Sequence, residues 1–192
     1  MSVARCIQVI FLSCLLVVCS GSQAQSPGNE PRRFEKEGLA FEYGQNWELS
    51  DQSNAAAQQL VLTEKTLDAQ IMIIALRSAI TTDKQAEQAK AALIEPSITR
   101  LLKQYYDAAI NVERLPAKTE VAGSPAEGVQ LRFEVDSQPG ATDIYWRVIN
   151  QRLVQLFFIR PEKTVAKAAG CWDTIRGSLK IEKSAAKPKD SK

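Results

Sequence analysis

The 192-residue sequence contains no histidine. That absence removes Ser-His-Asp and Cys-His catalysis, and every metal site that relies on imidazole. Methionine is scarce (2 residues), aromatic residues make up only 7%, and neither sign of charge dominates, with Lys+Arg 24 against Asp+Glu 22. A formal charge of +2 gives no reason to expect nucleic acid as a partner. There is no Gly-rich phosphate loop, no CxxC and no HExxH. Internal repeats and low-complexity blocks are also missing. What remains is an ordinary globular composition, 45% hydrophobic and 24% charged, for which one domain is the natural expectation.

The N-terminus reads as an export signal. Arg5 precedes an apolar stretch from Ile7 to Val18, interrupted by Gln8 and Ser13. Ser22-Gln23-Ala24 fits the small-x-small rule of signal peptidase, so residues 1–24 are expected to be a cleaved secretory signal. The apolar run is shorter than the ~20 residues that span a bilayer comfortably. An uncleaved anchor is the alternative. Cys19 sits where a lipoprotein signal would place its acylated cysteine, but Val18 stands where such signals want a small residue. Membrane association is therefore expected only if Cys19 is lipidated or the signal stays attached. Cleavage would remove Cys6, Cys14 and Cys19, leaving Cys171 alone and no intramolecular disulfide. The expected location is the periplasm or outside the cell, in association with the envelope.

Behind the signal, residues 25–33 are polar and rich in turn formers, as in a linker. Residues 183–192, with Lys183, Lys187, Lys189 and Lys192, read as a flexible basic tail. Residues 34–182 form the expected single domain. Leu39, Phe41 and Tyr43 alternate with Ala40 and Glu42 as in a strand, and Trp47 to Leu49 resumes extended structure. Leu60 to Thr63 and Ala69 to Leu76 follow as strands. Ile71-Met72-Ile73-Ile74 is apolar on both faces, so its strand is expected at the centre of the sheet. Asp83 to Ala109 is helical by its three- and four-residue steps (Ala86, Ala89, Leu93, Ile98, Leu101, Leu102, Tyr105), capped by Thr82 or Asp83. Pro96 is expected to divide it into two abutting segments.

Val129, Leu131, Phe133 and Val135 alternate with polar residues, as do Ile144, Trp146 and Val148. A tight turn centred on Pro139-Gly140 would set Val135 against Ile144, Phe133 against Trp146 and Leu131 against Val148. Asn150-Gln151 makes the next turn, and Leu153 to Ile159 is apolar on both sides. Pro161 opens a helix with a stripe of Val165, Ala168, Ala169, Trp172 and Ile175. Gly177 ends it, and Leu179 to Ile181 is a closing strand. The class is α+β with mostly antiparallel pairing, and helices are expected on both faces of the sheet.

Two stretches resemble PsbP-like domains, the superfamily of the photosystem II extrinsic protein and a Ran-binding protein. The first is Glu37-Gly38-Leu39-Ala40-Phe41-Glu42-Tyr43-Gly44-Gln45-Asn46-Trp47, with Gly44 where proline is usual. The second is Trp172-Asp173-Thr174-Ile175-Arg176-Gly177-Ser178-Leu179. The resemblance covers about residues 34 to 182. It implies an α/β/α sandwich with a mostly antiparallel sheet flanked by helices. Among such proteins the bacterial exported DcrB-like kind looks closest. The resemblance implies binding or assembly work rather than an activity, and brings no catalytic residue.

Candidate sites compete with structural explanations. The turn at Pro139-Gly140 would oppose Asp136 to Asp143 and Arg132 to Arg147, unfavourable pairs that a cation or an anion could relieve. The alternatives are diagonal relief through Glu134, or a turn that shifts the pairing. Cys171 lacks any histidine base, so it reads as a small buried hydrophobe. Tyr105, Tyr106 and Trp146 could line a groove between helix and sheet, although aromatics at such positions are commonly core. Glu120 and Glu127 flank a hairpin connection at Gly123-Ser124-Pro125 rather than forming an acid/base pair. No catalytic, cofactor-binding or metal-binding residue is assigned, and no cofactor is expected. The expectation is an exported, non-enzymatic binding or assembly accessory of the bacterial envelope, with an unidentified protein partner or small ligand. The alternative is a periplasmic carrier of a small apolar or amphipathic ligand. A pocket of at least ~300 Å³ would favour the carrier, and a flat exposed aromatic patch a protein partner.

Overall fold

A computed structural model of the chain describes residues 30–105, 110–135 and 137–182. The signal and tail assigned above lie outside the described residues. Two strands open the fold, β1 (Arg32–Lys36) and β2 (Leu39–Tyr43). The first starts two residues inside the stretch read as linker. Glu37 and Gly38, at φ 49° and 74°, make the two-residue turn between them. Then come β3 (Glu48–Asp51), β4 (Ala57–Glu64), β5 (Ala69–Leu76) and the helix α1 (Asp83–Tyr105). A four-strand meander follows: β6 (Ile110–Val121), β7 (Ser124–Val135), β8 (Gln138–Ile149) and β9 (Arg152–Pro161). After one 3-10 turn come α2 (Val165–Ser178) and β10 (Lys180–Ile181).

These elements make two sheets, a division that periodicity alone did not indicate. Seven strands lie in the order β3-β4-β5-β9-β8-β7-β6, and β1-β2-β10 form a smaller sheet. Every pairing among the described strands is antiparallel. The doubly apolar strand β5 is central, between β4 and β9. Its Ile71 and Ile73 pack with Trp172 and Ile175 of α2, while Met72 and Ile74 face the cluster around Ile94 and Ile98 of α1. One helix therefore packs on each face of the large sheet. The small sheet shares the α2 side, where Leu39, Phe41 and Tyr43 are buried.

Several expectations need correction. Pro96 lies inside α1 without dividing it. Ala92, whose carbonyl would have accepted the missing N–H, is on the exposed side, where water can replace that bond. The buried stripe of α1 is Ile94, Ile98 and Leu101, with Leu93 only partly covered, so the helix is rotated from the expected face. The β7–β8 turn is not at Pro139-Gly140. Val135 pairs with Gln138, Phe133 with Gly140 and Leu131 with Thr142. The chain reverses between Val135 and Gln138, with Ser137 at φ 60°. The inward face survives this slip because the shift is an even number of residues. The hairpins at Ala122-Gly123 and Asn150-Gln151 likewise reverse through two positive-φ residues each. Strand β6 was not foreseen: it forms the sheet's edge, and the described part of its pattern is mostly exposed. Gly177 lies within α2, which runs one residue further than expected.

Candidate functional site

With the register corrected, the opposed like charges disappear. Arg132 faces Ala141 and donates its Nε to Gln130 Oε1 at 3.0 Å, and Asp143 faces Gln130. Arg147 faces Val154 in β9 and donates to the Val121 carbonyl at 3.1 Å. Asp143 is instead buried against Arg160, carboxylate to guanidinium at 2.8 Å, and it accepts a second bond from Gln130 Nε2 at 2.7 Å. Asp136 lies outside the described residues. No group of three or more Cys, Asp or Glu side chains that could hold a metal occurs among the described residues.

Cys171 faces inward from α2, and its Sγ accepts the backbone N–H of Gly44 at 3.4 Å. Burial pushes its thiol up to about 11, which leaves it protonated and unreactive at neutral pH. That contact also bears on the glycine at position 44, because a proline there could not donate. Glu120 belongs to exposed β6, and Glu127 pairs with Lys90, so the two carboxylates share no site. The side chain of Tyr105 and all of Tyr106 lie outside the described residues.

Open space occurs on both sides of the sheet: a groove of ≈500 Å³ lies beside α2, against Gly44, Gln45, Asn46 and Cys171, and further grooves open on the α1 face. Seven strands span roughly 30 Å at the usual inter-strand spacing, while one helix covers a band about 10 Å across. Among the described residues, much of that face is thus left without a covering element. A groove of ≈470 Å³ runs between the first half of α1 and β6–β8, with Ala91, Ile94, Pro116, Val129 and Trp146 among its walls. Of the first ten residues of α1 only Ala86, Ala89 and Lys90 are partly covered and none is buried, so the start of the helix fills little of this gap. A second groove of ≈570 Å³ lies at the sheet end where Phe133, Val135 and Ile159 meet Lys65 and Lys163. A third, ≈290 Å³, lies between α1 and β4–β5.

Two ion pairs cross the mouth of the ≈470 Å³ groove, Lys90 Nζ to Glu127 at 2.9 Å and Arg114 to Glu95 at 2.6 Å. The hydrogen bond from Lys90 holds the Glu127 carboxyl below its ordinary range, and Arg114 does the same for Glu95. Lys90 also lies 5.9 Å from the centre of the Trp146 ring. Of the expected groove aromatics, the structure places Trp146 there, partly buried. Lys90, Arg114 and Gln155 escaped notice in the sequence. Gln155 had a signal, since it is the one polar residue between Leu153 and Ile159.

No family model matches the sequence, and no curated protein does. Solved structures do match. Cyanobacterial PsbP (CyanoP) from Synechocystis sp. PCC 6803 aligns with 86% of this chain and 98% of its own, at TM-score 0.50 and 17% identity. A crystal structure from Bacteroides thetaiotaomicron aligns with 79% of this chain and 48% of its own, at TM-score 0.50 and 13% identity. LpqN of Mycobacterium tuberculosis, described as involved in cell envelope biogenesis, aligns with 80% and 90% of the two chains at TM-score 0.44 and 12% identity, too distant to carry an argument. At these identities the likeness concerns fold alone. Leu39, Phe41, Tyr43, Trp47, Trp172, Ile175 and Leu179, which carry the sequence resemblance, all belong to the core on the α2 face. Motif and architecture agree: the chain has the PsbP-like fold.

Proposed function

We propose that the protein is an exported, non-enzymatic carrier that holds a small amphipathic molecule on the α1 face of its sheet. Export rests on the N-terminal signal pattern. The architecture is read as an α/β/α sandwich whose α1 layer is a single helix. The observation that carries the reading is the incomplete cover on that side, with a groove of ≈470 Å³ beside α1 and one of ≈570 Å³ at the end of the sheet. Both volumes fall in the range of small-molecule sites. Apolar walls with charged rims suit a cargo that is itself part apolar and part polar.

An envelope assembly accessory, with a protein segment as the occupant, is the second reading. A flat apolar patch would favour it. Among the described residues one large hydrophobic side chain is exposed, Val112 at 43%, so the concave grooves favour small cargo. Native mass spectrometry of the protein isolated from its host's envelope separates these readings. The carrier predicts a discrete small added mass on a chain starting at Gln25. A protein-sized addition would establish the assembly role instead. A bare chain would end the carrier reading, and a lipid-bearing Cys19 start would place the protein on a membrane.

A further inference from the structure

We infer that the groove between α1 and β6–β8 takes an uncharged acyl compound whose carbonyl oxygen accepts hydrogen bonds from Trp146 and Gln155. This rests on the carrier reading and specifies it. The indole Nε1 of Trp146 and the amide Nε2 of Gln155 are both buried donors without a hydrogen-bond partner. They are not independent oddities. Trp146 on β8 stands directly opposite Gln155 on β9. Both share the parity of Ile144 and Phe157, which pack against Ile94 and Ile98 of α1, so both side chains lie on the α1 face. Side chains opposed in this way start about 5 Å apart, close enough to share one acceptor.

Gln155 is 3% exposed, lies one strand further under the helix than Trp146 and is not itself a wall of the groove, so a ligand's oxygen reaches its amide only when the Trp146 side chain moves aside. An unpaired buried amide is costly, and a leucine there would carry no such cost. Trp146 lines the ≈470 Å³ groove, which continues along Ala91, Ile94, Pro116 and Val129, an apolar path for a chain attached to the acceptor.

The groove's charges select a neutral head. Its rim carries Glu87, Glu95 and Glu127 against Lys90, Arg114 and Lys118. Lys90 and Arg114 are already held by Glu127 and Glu95. The two donors are uncharged. A carboxylate moved to them would lose its water for two neutral hydrogen bonds, whereas an ester or amide carbonyl loses far less. The ligand class is therefore an acyl ester or amide, not a free fatty acid.

The test uses the mature wild-type protein with two probes of equal chain length, monolauroylglycerol and laurate. Nitrogen-15 NMR follows the Trp146 indole proton, identified by its loss in Trp146→Phe. The ester is expected to shift that resonance and to bind at least tenfold more tightly than laurate. Trp146→Phe removes the indole N–H and keeps an aromatic ring, and Gln155→Leu replaces the amide with an apolar side chain of similar size. Each is expected to weaken ester binding about five- to tenfold. An ester that binds without moving the indole proton, or equally well to both variants, overturns the site while leaving the carrier reading intact. Tighter laurate binding overturns the neutral class. No binding of either probe by the wild type overturns the inference as a whole, and the native mass then decides the carrier reading separately.

Discussion

Asp143 and Arg160 form an ion pair at 2.8 Å with both side chains more than nine-tenths buried. The guanidinium also lies 4.3 Å from the centre of the Phe158 ring and donates to the Phe158 carbonyl at 3.2 Å. A buried pair of this kind is weak evidence of net stabilisation, but losing one partner strands the other. Arg160→Met is therefore expected to cost about 3–5 kcal/mol in urea unfolding, and adding Asp143→Leu should restore most of it. A single substitution costing under about 1 kcal/mol would mean that water reaches the pair. Cys171 gives a prediction in pH. Its thiol is raised from 9.0 to about 11 in the folded protein, chiefly by burial. A raised folded value means that the stabilisation is complete below the unfolded value and is lost as pH climbs from 9 toward 11. Between pH 7 and 11 the wild type should lose about 2 kcal/mol more than Cys171→Ala, because the variant has no thiol to ionise. Equal losses in denaturation curves at the two pH values would contradict a buried thiol.

At the scale of the elements, local chemistry decides where each one starts and turns. Thr82 Oγ1 accepts the Gln85 N–H at 3.2 Å, and Gln85 Oε1 accepts the Thr82 N–H at 3.2 Å, a reciprocal capping box at the start of α1. Thr82→Ala should cost about 1 kcal/mol, with hydrogen exchange rising first in the opening turns of the helix. The β7–β8 hairpin shows where the sequence misleads. Pro139-Gly140 carries the stronger turn signature, yet both residues sit in β8 opposite Glu134 and Phe133. Gly140 is needed there for another reason: a Cβ would lie 2.5 Å from Cε2 of Phe133. A glycine that makes room for a ring and a glycine that makes a turn look alike in sequence. Ser137→Gly tests the register by sign. At a turn position with φ 60° the substitution relieves left-handed strain, and should stabilise by about 0.5–1 kcal/mol. In a strand interior, where the rejected register would put it, glycine would destabilise by a similar amount.

At the scale of the whole molecule the two faces of the sheet differ in how far they could be read. The α2 face is a continuous core, and its residues carry the alternation, the helix stripe and the family-like motifs. Burial of regular elements leaves a periodic trace, so this half of the fold was legible. The α1 face was not, because its character comes from a mismatch between one helix and seven strands that no local pattern records. Trp146 could be suspected as a groove residue, but its opposition to Gln155 depends on a β8–β9 register that only the assembled sheet supplies. The same mismatch predicts how the molecule behaves with and without cargo. A ligand that binds only the folded state adds stability by mass action, about 2.7 kcal/mol at a hundred times its dissociation constant. For a domain of this size that corresponds to a melting shift of roughly 5–10 °C. Protein taken from the envelope without detergent should therefore melt higher than the same preparation unfolded, extracted with organic solvent and refolded. Adding the extract back should restore the difference. The gap should also shrink on dilution, because binding stabilises through the free ligand concentration, whereas a folding defect left by extraction would persist at every dilution. Identical melting before and after extraction would mean that the grooves beside α1 carry nothing from the cell.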